Sequence, residues 1–417
     1  MPARHASAER PTTVRHAREH RSGRVLRGTA LVTVALLAFG GTAVYATYQR
    51  LNSNIHRVDV SALLGDRPTR AAVEPGEDPN AGKDVNILLL GSDSREGENG
   101  DIGGRVAGGM RSDTAIVMHV SADRKRVEMV SIPRDSMVAI PTCRTTSGAE
   151  TAASDYAMFN EAFARGWDAG LDLESAAACT WRTVEANTGI VIDDFALVDF
   201  AGFEDMVDAL QGVWLCIPAD MDDQRAKLHI TAGNKLLDGK TALAYARSRH
   251  SQVSDGSDIG RIGNQQRLLA AIADQTLSKN VLTDWSELLG VLSAATRSLT
   301  TSMGTTDIAG LAYSARGIGT GNITFMTIPW GAAPDDPNRV VWTDEADVIW
   351  ANVARDVPML TGTKDDPGTA ATSAPTSGAT STPKAGSTPK ANTTPKPRAT
   401  KKAGRDAFTL DDNTGSC

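Results

Sequence analysis

From residue 85 onward, short apolar runs alternate with polar, glycine-rich breaks. VNILLLG (85–91) is a continuous apolar run stopped by Gly91, the pattern of a buried strand. TAIVMHVS and RVEMVSI follow as two more strands. The polar turn around Ala122–Lys125 predicts that they form a hairpin. Phe159–Arg165 and Leu173–Asn187 have helical spacing, with Gly189 as the stop. DDFALVDF reads as a strand, Gly202–Leu210 as a short amphipathic helix, and GVWLCIP as the strand after it. Asp238 is placed to cap a helix carrying Ala242 to Arg247. Longer helices are expected over Arg261–Leu277 and Val281–Leu299, then a strand NITFMTIP and a last helix Glu345–Val353. The elements interleave without a strict βαβ rhythm. This predicts an α/β fold, a mixed central sheet flanked by helices in a sandwich.

Both ends break this pattern. Residues 1–27 carry seven arginines against two glutamates. Gly28 to Gln49 is then a run of 22 uncharged residues between Arg27 and Arg50. At ~1.5 Å per residue that run reaches ~33 Å, enough for a hydrocarbon core of ~30 Å. The expected organisation is a basic cytoplasmic segment (1–27), a transmembrane helix (28–49) and a stalk (50–83). An exported domain (84–360) and a disordered Pro/Thr/Lys-rich tail (361–417) follow. The upstream arginines keep the N-terminus cytoplasmic. A cleaved signal peptide ending at Val44-Tyr45-Ala46 is the alternative, but the apolar run is long for one. In the tail STPKA recurs at a six-residue spacing, composition that cannot bury a core.

Charge sharpens the picture. The net of −7 conceals a head of +5 and a tail of +3, leaving −15 on residues 28–360. So acidic a body argues against nucleic acid as a partner. Four cysteines are present, Cys143, Cys179, Cys216 and Cys417. An exported domain can form a disulfide among the first three, and the sequence leaves all three pairings open. Cys417 ends the tail and reads as a free or adventitiously oxidised thiol. The Gly-rich stretch Glu96–Gly109 lacks the Gly-Lys-Ser/Thr ending of a nucleotide-binding loop.

Against that acidic background, arginines gather where apolar elements end: Arg111, Arg134, Arg247, Arg249 and Arg261. Guanidinium forks match phosphate oxygens, and five of them converging repel one another unless an anion binds. Arg247 and Arg249 lie two apart near a helix end, and can aim at one ligand only if the helix is ending there. Arg261 and Gln265 share a helix face, and Asp258 can orient Arg261. Asp93 follows a strand and a glycine turn, and Asp113 precedes a strand. Two such carboxylates suit Mg²⁺, or Mn²⁺, with positions left for phosphate. Asp135 reads as structural, paired with an arginine or an amide.

The segments GSDSR, RSDT, SIPRD and YARSRH, in that order, closely resemble the LytR–CpsA–Psr family over roughly residues 84–277. The resemblance implies a Mg-dependent phosphotransferase that moves an anionic glycopolymer from a polyprenyl-pyrophosphate carrier onto peptidoglycan at the outer face of the cell membrane. It implies Asp93 and Asp113 as metal ligands. Arg111, Arg134, Arg247 and Arg249 would be catalytic and would bind the diphosphate with Arg261 and Gln265. It also implies a hydrophobic prenyl pocket, with Ile116, Met118, Val198, Phe200, Phe203, Leu268 and Leu269 as candidate lining. Asn264 stands where the family usually has an arginine. Two other readings use the same residues: a hydrolase of lipid-linked diphosphates, and a non-catalytic envelope regulator or wall-binding adaptor.

Overall fold

The computed structural model describes residues 19–65, 67, 82–93, 110–251, 256–278, 293, 299–315, 317–366 and 401–412. Two units emerge, Met1–Ser53 and Asn54–Cys417. The described residues of the first form one helix, α1 (Glu19–Asn54), which contains the uncharged run and continues past both its ends. Leu31, Val32, Val34 and Phe39 are exposed on it. Among the described residues no helix is long and apolar enough to cross a membrane. The side chains of Leu36, Leu37 and Val44 lie outside the described set, so the membrane reading rests on the sequence.

Among the described residues the second unit holds sixteen short strands. Eight of them form the central sheet: β1 (His56–Arg57), β2 (Val85–Ser92), β3 (Ser112–Val120), β4 (Val127–Ile132), β7 (Asp194–Val198), β12 (Leu299–Thr301), β13 (Ile323–Thr327) and β16 (Phe408–Thr409). Their order is β1-β12-β7-β2-β3-β4-β13-β16. β2 runs parallel to β7 and β4 to β13, while β3 is antiparallel to both of its neighbours. The expected hairpin is therefore present, and the sheet is mixed.

Period-2 alternation assigns the two faces. Ala115 and Val117 of β3 point into one cluster with Leu88, Val130, Phe195 and Trp350. Helices α3 (Glu161–Gly170), α4 (Leu173–Thr188) and α9 (Asp344–Ala354) contribute Phe163, Ala177, Trp181 and Ile349 to it. Gly189 ends α4 at φ 69°, as its sequence predicts. Cys143 and Cys179 are disulfide-bonded here with Cα atoms 5.2 Å apart, which settles the pairing. Cys216 is also disulfide-bonded. Cys417 lies outside the described residues.

On the opposite face Ile116 packs with Phe325 and Phe408. A third cluster sits between α5 (Phe200–Ala209), α6 (Gly239–Arg247), α7 (Asp258–Ser278) and the hairpin of β8 (Val213–Ile217) with β11 (Gly233–Leu237). The strand expected over GVWLCIP thus exists, but outside the central sheet.

Two boundaries need correction. The stalk expected over 50–83 is partly folded. Val58, Val60 and Leu64 join the main cluster, and Arg67 pairs with Glu185 at 2.7 Å while lying over the Trp181 ring. The tail expected to be disordered from 361 is ordered over 401–412, where β16 adds to the sheet edge. Phe408 is buried there and stacks on Phe325. Residues 367–400, the glycine-rich stretch 96–109 and, apart from Ser293 and Leu299, the helix expected over Val281–Leu299 lie outside the described residues. Leu299 itself begins β12.

Candidate functional site

β2, β4 and β7 end at one edge of the sheet, where β3 begins. Ligands of α/β sheets commonly bind outside the carboxyl ends of strands. A cavity of about 510 Å³ opens there. That volume is within the usual range for a small-molecule pocket.

The register shift between Gly91 and Ser92 turns the chain out of β2. A Cβ at Gly91 would lie only 3.1 Å from the Thr114 Cβ, so the close β2–β3 crossing favours glycine. Asp93 then emerges into the cavity, its Oδ1 accepting from the Arg111 amide at 2.8 Å. Arg111 contributes that backbone contact, but its side chain is exposed and does not line the cavity.

Asp113 is the hub. Its Oδ1 accepts from Arg134 Nη1 at 2.8 Å and its Oδ2 from Arg261 Nη1 at 3.3 Å. Burial pushes this carboxyl up, yet Arg261 and Arg134 outweigh burial and hold it below the usual range. Arg261, nearly buried, also donates to Asp258 Oδ1 at 2.5 Å. Asp258 orients it as expected and lies 3.5 Å from Arg134 Nε as well. Burial raises the Asp258 carboxyl against the pull of both arginines. Asp135 pairs with Arg339 at 3.3 Å, the structural role expected of it.

α6 ends at Arg247, and Ser248 turns extended at ψ 130°. Both Arg247 and Arg249 therefore face the cavity. Arg247 lies over the Phe200 ring at 4.5 Å. Arg249 differs from Arg134 and Arg261: among the described residues no carboxylate lies within 4.0 Å of its guanidinium. Its Nε, like those of Arg134 and Arg261, is buried without an acceptor. Burial, then repulsion from Arg134 and Arg261, lowers its pKa. The expected repulsion among five arginines is thus confined, because Asp113 and Asp258 already neutralise two of them.

Asp223 was not expected. Its Oδ2 accepts from Ser248 Oγ (3.0 Å), Arg249 N (2.8 Å) and His250 N (2.7 Å), fixing the turn that presents Arg249. Burial opposes ionisation, but these backbone donors prevail and lower its pKa to about 2. It stands more than twenty residues before the turn in an otherwise ordinary acidic stretch, so no local signal marks it. Arg225, 3.2 Å from His250 Nε2, is a further cavity cation that sequence reasoning missed. Gln265 donates to Thr114 Oγ1 at 3.0 Å, and Asn264 reaches the Ser248 carbonyl at 3.5 Å.

Much of the remaining cavity wall is apolar. Ile116, Val198, Phe200, Phe203, Leu268 and Leu269 all line it, as expected. Met118 does not. It is on the same face of β3 as Ile116 but one pair further from the site edge, and it packs between two hydrophobic clusters.

No group of three or more His, Cys, Asp or Glu among the described residues is arranged to hold a metal ion. Asp93 and Asp113 nevertheless line one cavity. Two carboxylates fit Mg²⁺, which takes one or two of them and leaves other positions to water and phosphate.

The chain resembles "Cell wall biosynthesis protein LcpA" of Corynebacterium glutamicum at 32% identity over 261 residues, 59% of this chain and 50% of LcpA. The match therefore spans half the length of that relative. It is 30% identical over 270 residues to the Bacillus subtilis polyisoprenyl-teichoic acid–peptidoglycan teichoic acid transferase TagT, covering 63% of this chain and 73% of TagT. A solved LytR-Csp2A-Psr enzyme from Actinomyces oris shares the fold, with TM-score 0.51 and 21% identity over 72% of this chain and 96% of that one. The LytR_cpsA_psr family model matches residues 47–352, from the end of α1 to the last turns of α9, and this chain belongs to that family.

Proposed function

We propose that this protein transfers an anionic glycopolymer from a polyprenyl-pyrophosphate carrier onto peptidoglycan. One observation carries the reading: a single cavity joins a cationic edge to an apolar interior, which matches a ligand with a diphosphate head and a hydrocarbon chain. The names of relatives, among them a teichoic acid transferase, support it.

Arg249, Arg247 and Arg134 would bind the diphosphate, and Arg261 would hold Asp113 in place. Asp93 and Asp113 would hold Mg²⁺, which supplies charge neutralisation for phosphate oxygens. A peptidoglycan sugar hydroxyl attacks the phosphorus that bears the glycopolymer. A new P–O bond forms to that hydroxyl oxygen. The bond to polyprenyl phosphate breaks and that group leaves with its electron pair. The hydroxyl proton passes to a base, a role we propose for Asp93. Positioning and electrostatics dominate such reactions. The apolar run Gly28–Gln49 would anchor the chain in the membrane with residues 54–417 outside.

The test is reconstitution of the full chain in membranes with a polyprenyl-pyrophosphate-linked glycopolymer and peptidoglycan. Polymer covalently joined to peptidoglycan is the expected product. Release of free phosphorylated polymer at the same rate without acceptor would identify a hydrolase instead. An alkaline phosphatase fused after Cys417 should be active in whole cells, and a silent fusion would overturn the orientation.

A further inference from the structure

Residues 401–412 of the tail pack on the back of the helix that carries site residues. Along α7, Arg261, Gln265 and Leu268 share the face that lines the cavity. Ile259, Gly263 and Gln266 form the opposite stripe, by the same 3.6-residue period. That stripe is what residues 401–412 touch.

The contacts are close and specific. The Gly404 amide donates to Gln266 Oε1 at 2.8 Å. Gln266 Nε2 donates in turn to Ser131 Oγ at 3.0 Å and Thr327 Oγ1 at 3.2 Å, so one side chain ties the tail, α7 and two sheet strands together. Gly263 carries no Cβ where one would lie 2.6 Å from the Ala403 carbonyl. Gly404 sits at φ +85°, and a Cβ there would lie 2.6 Å from the Ile259 carbonyl and 3.1 Å from the Gly263 Cα. Two backbones thus meet where only glycine leaves room. The segment is also held at its ends. Phe408 stacks on Phe325 at 5.4 Å between ring centroids, β16 pairs with β13, and Lys401 reaches Asp412 at 3.2 Å.

We propose that residues 401–412 are a positioning strap that presses α7 against the sheet and fixes Arg261 and Gln265 at the diphosphate site. The catalytic consequence rests on the function proposed above; the mechanical one does not. Without the strap, the first turns of α7 keep their hydrogen bonds but lose their backing, and the Arg261–Asp113–Asp258 geometry relaxes.

Gly263→Ala and Gly404→Ala in the full chain test this. Alanine is the better helix former, so a defect in Gly263→Ala reports the lost strap contact and not a weakened helix. Ile190→Val, in the cluster on the other sheet face, controls for general destabilisation. Three readouts are needed: amide exchange over 258–267, inorganic pyrophosphate affinity by calorimetry, and kcat against KM for transfer. The strap predicts exchange at least ~10-fold faster in both glycine variants, from local opening of α7. Pyrophosphate affinity and kcat should each fall about 10-fold, with KM for the peptidoglycan acceptor unchanged, since a ~1 Å misplacement costs up to about 100-fold. Unchanged exchange, or exchange that rises without loss of affinity, would overturn the strap. So would equal losses in Ile190→Val. If the wild type shows no transfer at all, the proposed function fails, while exchange and pyrophosphate binding still decide the strap.

Discussion

Arg134 and Arg249 converge on one cavity but should respond oppositely to removal of their charge. Arg134 is locked to Asp113 at 2.8 Å and lies beside the buried Asp258. Arg134→Met leaves Asp258 short of a cation, and breaking a buried pair costs about 3–5 kcal/mol. Arg134 keeps 21% of its side-chain surface, so the low end applies. At ~1–2 °C per kcal/mol for a unit of this size, Tm should drop about 3–6 °C. Arg249 has no such carboxylate and is repelled by Arg134 and Arg261, so Arg249→Met should leave Tm unchanged or raise it. Ligand separates the two further. Pyrophosphate at 100 times its Kd stabilises the wild type by about 2.7 kcal/mol. A hydrogen bond to a charged group contributes roughly 1.5–3 kcal/mol, so Arg249→Met should retain only about 0.3–1.3 kcal/mol of that shift at the same concentration. Thermal melts by circular dichroism, with and without pyrophosphate at fixed pH and Mg²⁺, read both numbers. If Arg249→Met destabilised the free protein as much as Arg134→Met, or kept the full ligand shift, the assignment of Arg249 as the uncompensated anion ligand would be wrong.

Other expectations concern stability. Replacing Cys143 and Cys179 together by serine removes a cross-link of sequence separation 36 and should cost roughly 4 kcal/mol in denaturant melts; a loss under ~1 kcal/mol would contradict it. Burial raises the Asp194 carboxyl to about 6, so the folded state holds its proton longer than the unfolded one. Stability should therefore fall as pH rises from about 4 to 6, by about 3 kcal/mol, and Asp194→Asn should flatten that slope. Asp223 has the opposite sign. With its pKa lowered to about 2, it contributes about 2 kcal/mol above pH ~4 that disappears as pH falls towards 2. Asp223→Asn should remove this acid-limb dependence and weaken pyrophosphate binding through the Arg249 turn. A binding curve unchanged from wild type would deny Asp223 that role.

The sequence by itself determined what local chemistry decides. Continuous apolar runs gave the strands 85–92 and 194–198, because both sheet faces are covered. Asp238 capped its helix by accepting from the Thr241 amide at 2.8 Å, since an unpaired first turn needs such an acceptor whatever surrounds it. Motif order placed Asp93, Asp113, Arg134, Arg247, Arg249 and Arg261 at one site, because each ends or begins an element at the same sheet edge. Tertiary structure alone decided the rest. Ile116 and Met118 share period and face, so only position along the sheet makes one a cavity wall and the other core. Arg111 and Arg134 are both arginines of matching motifs, yet among the described residues only Arg134 meets a carboxylate, because that contact joins residues brought together by the β3–β4 pairing. Asp223 and the 401–412 strap act through partners about 25 and 140 residues away. Contacts at that range are selected by the closed fold, and no periodicity or propensity in the chain encodes them.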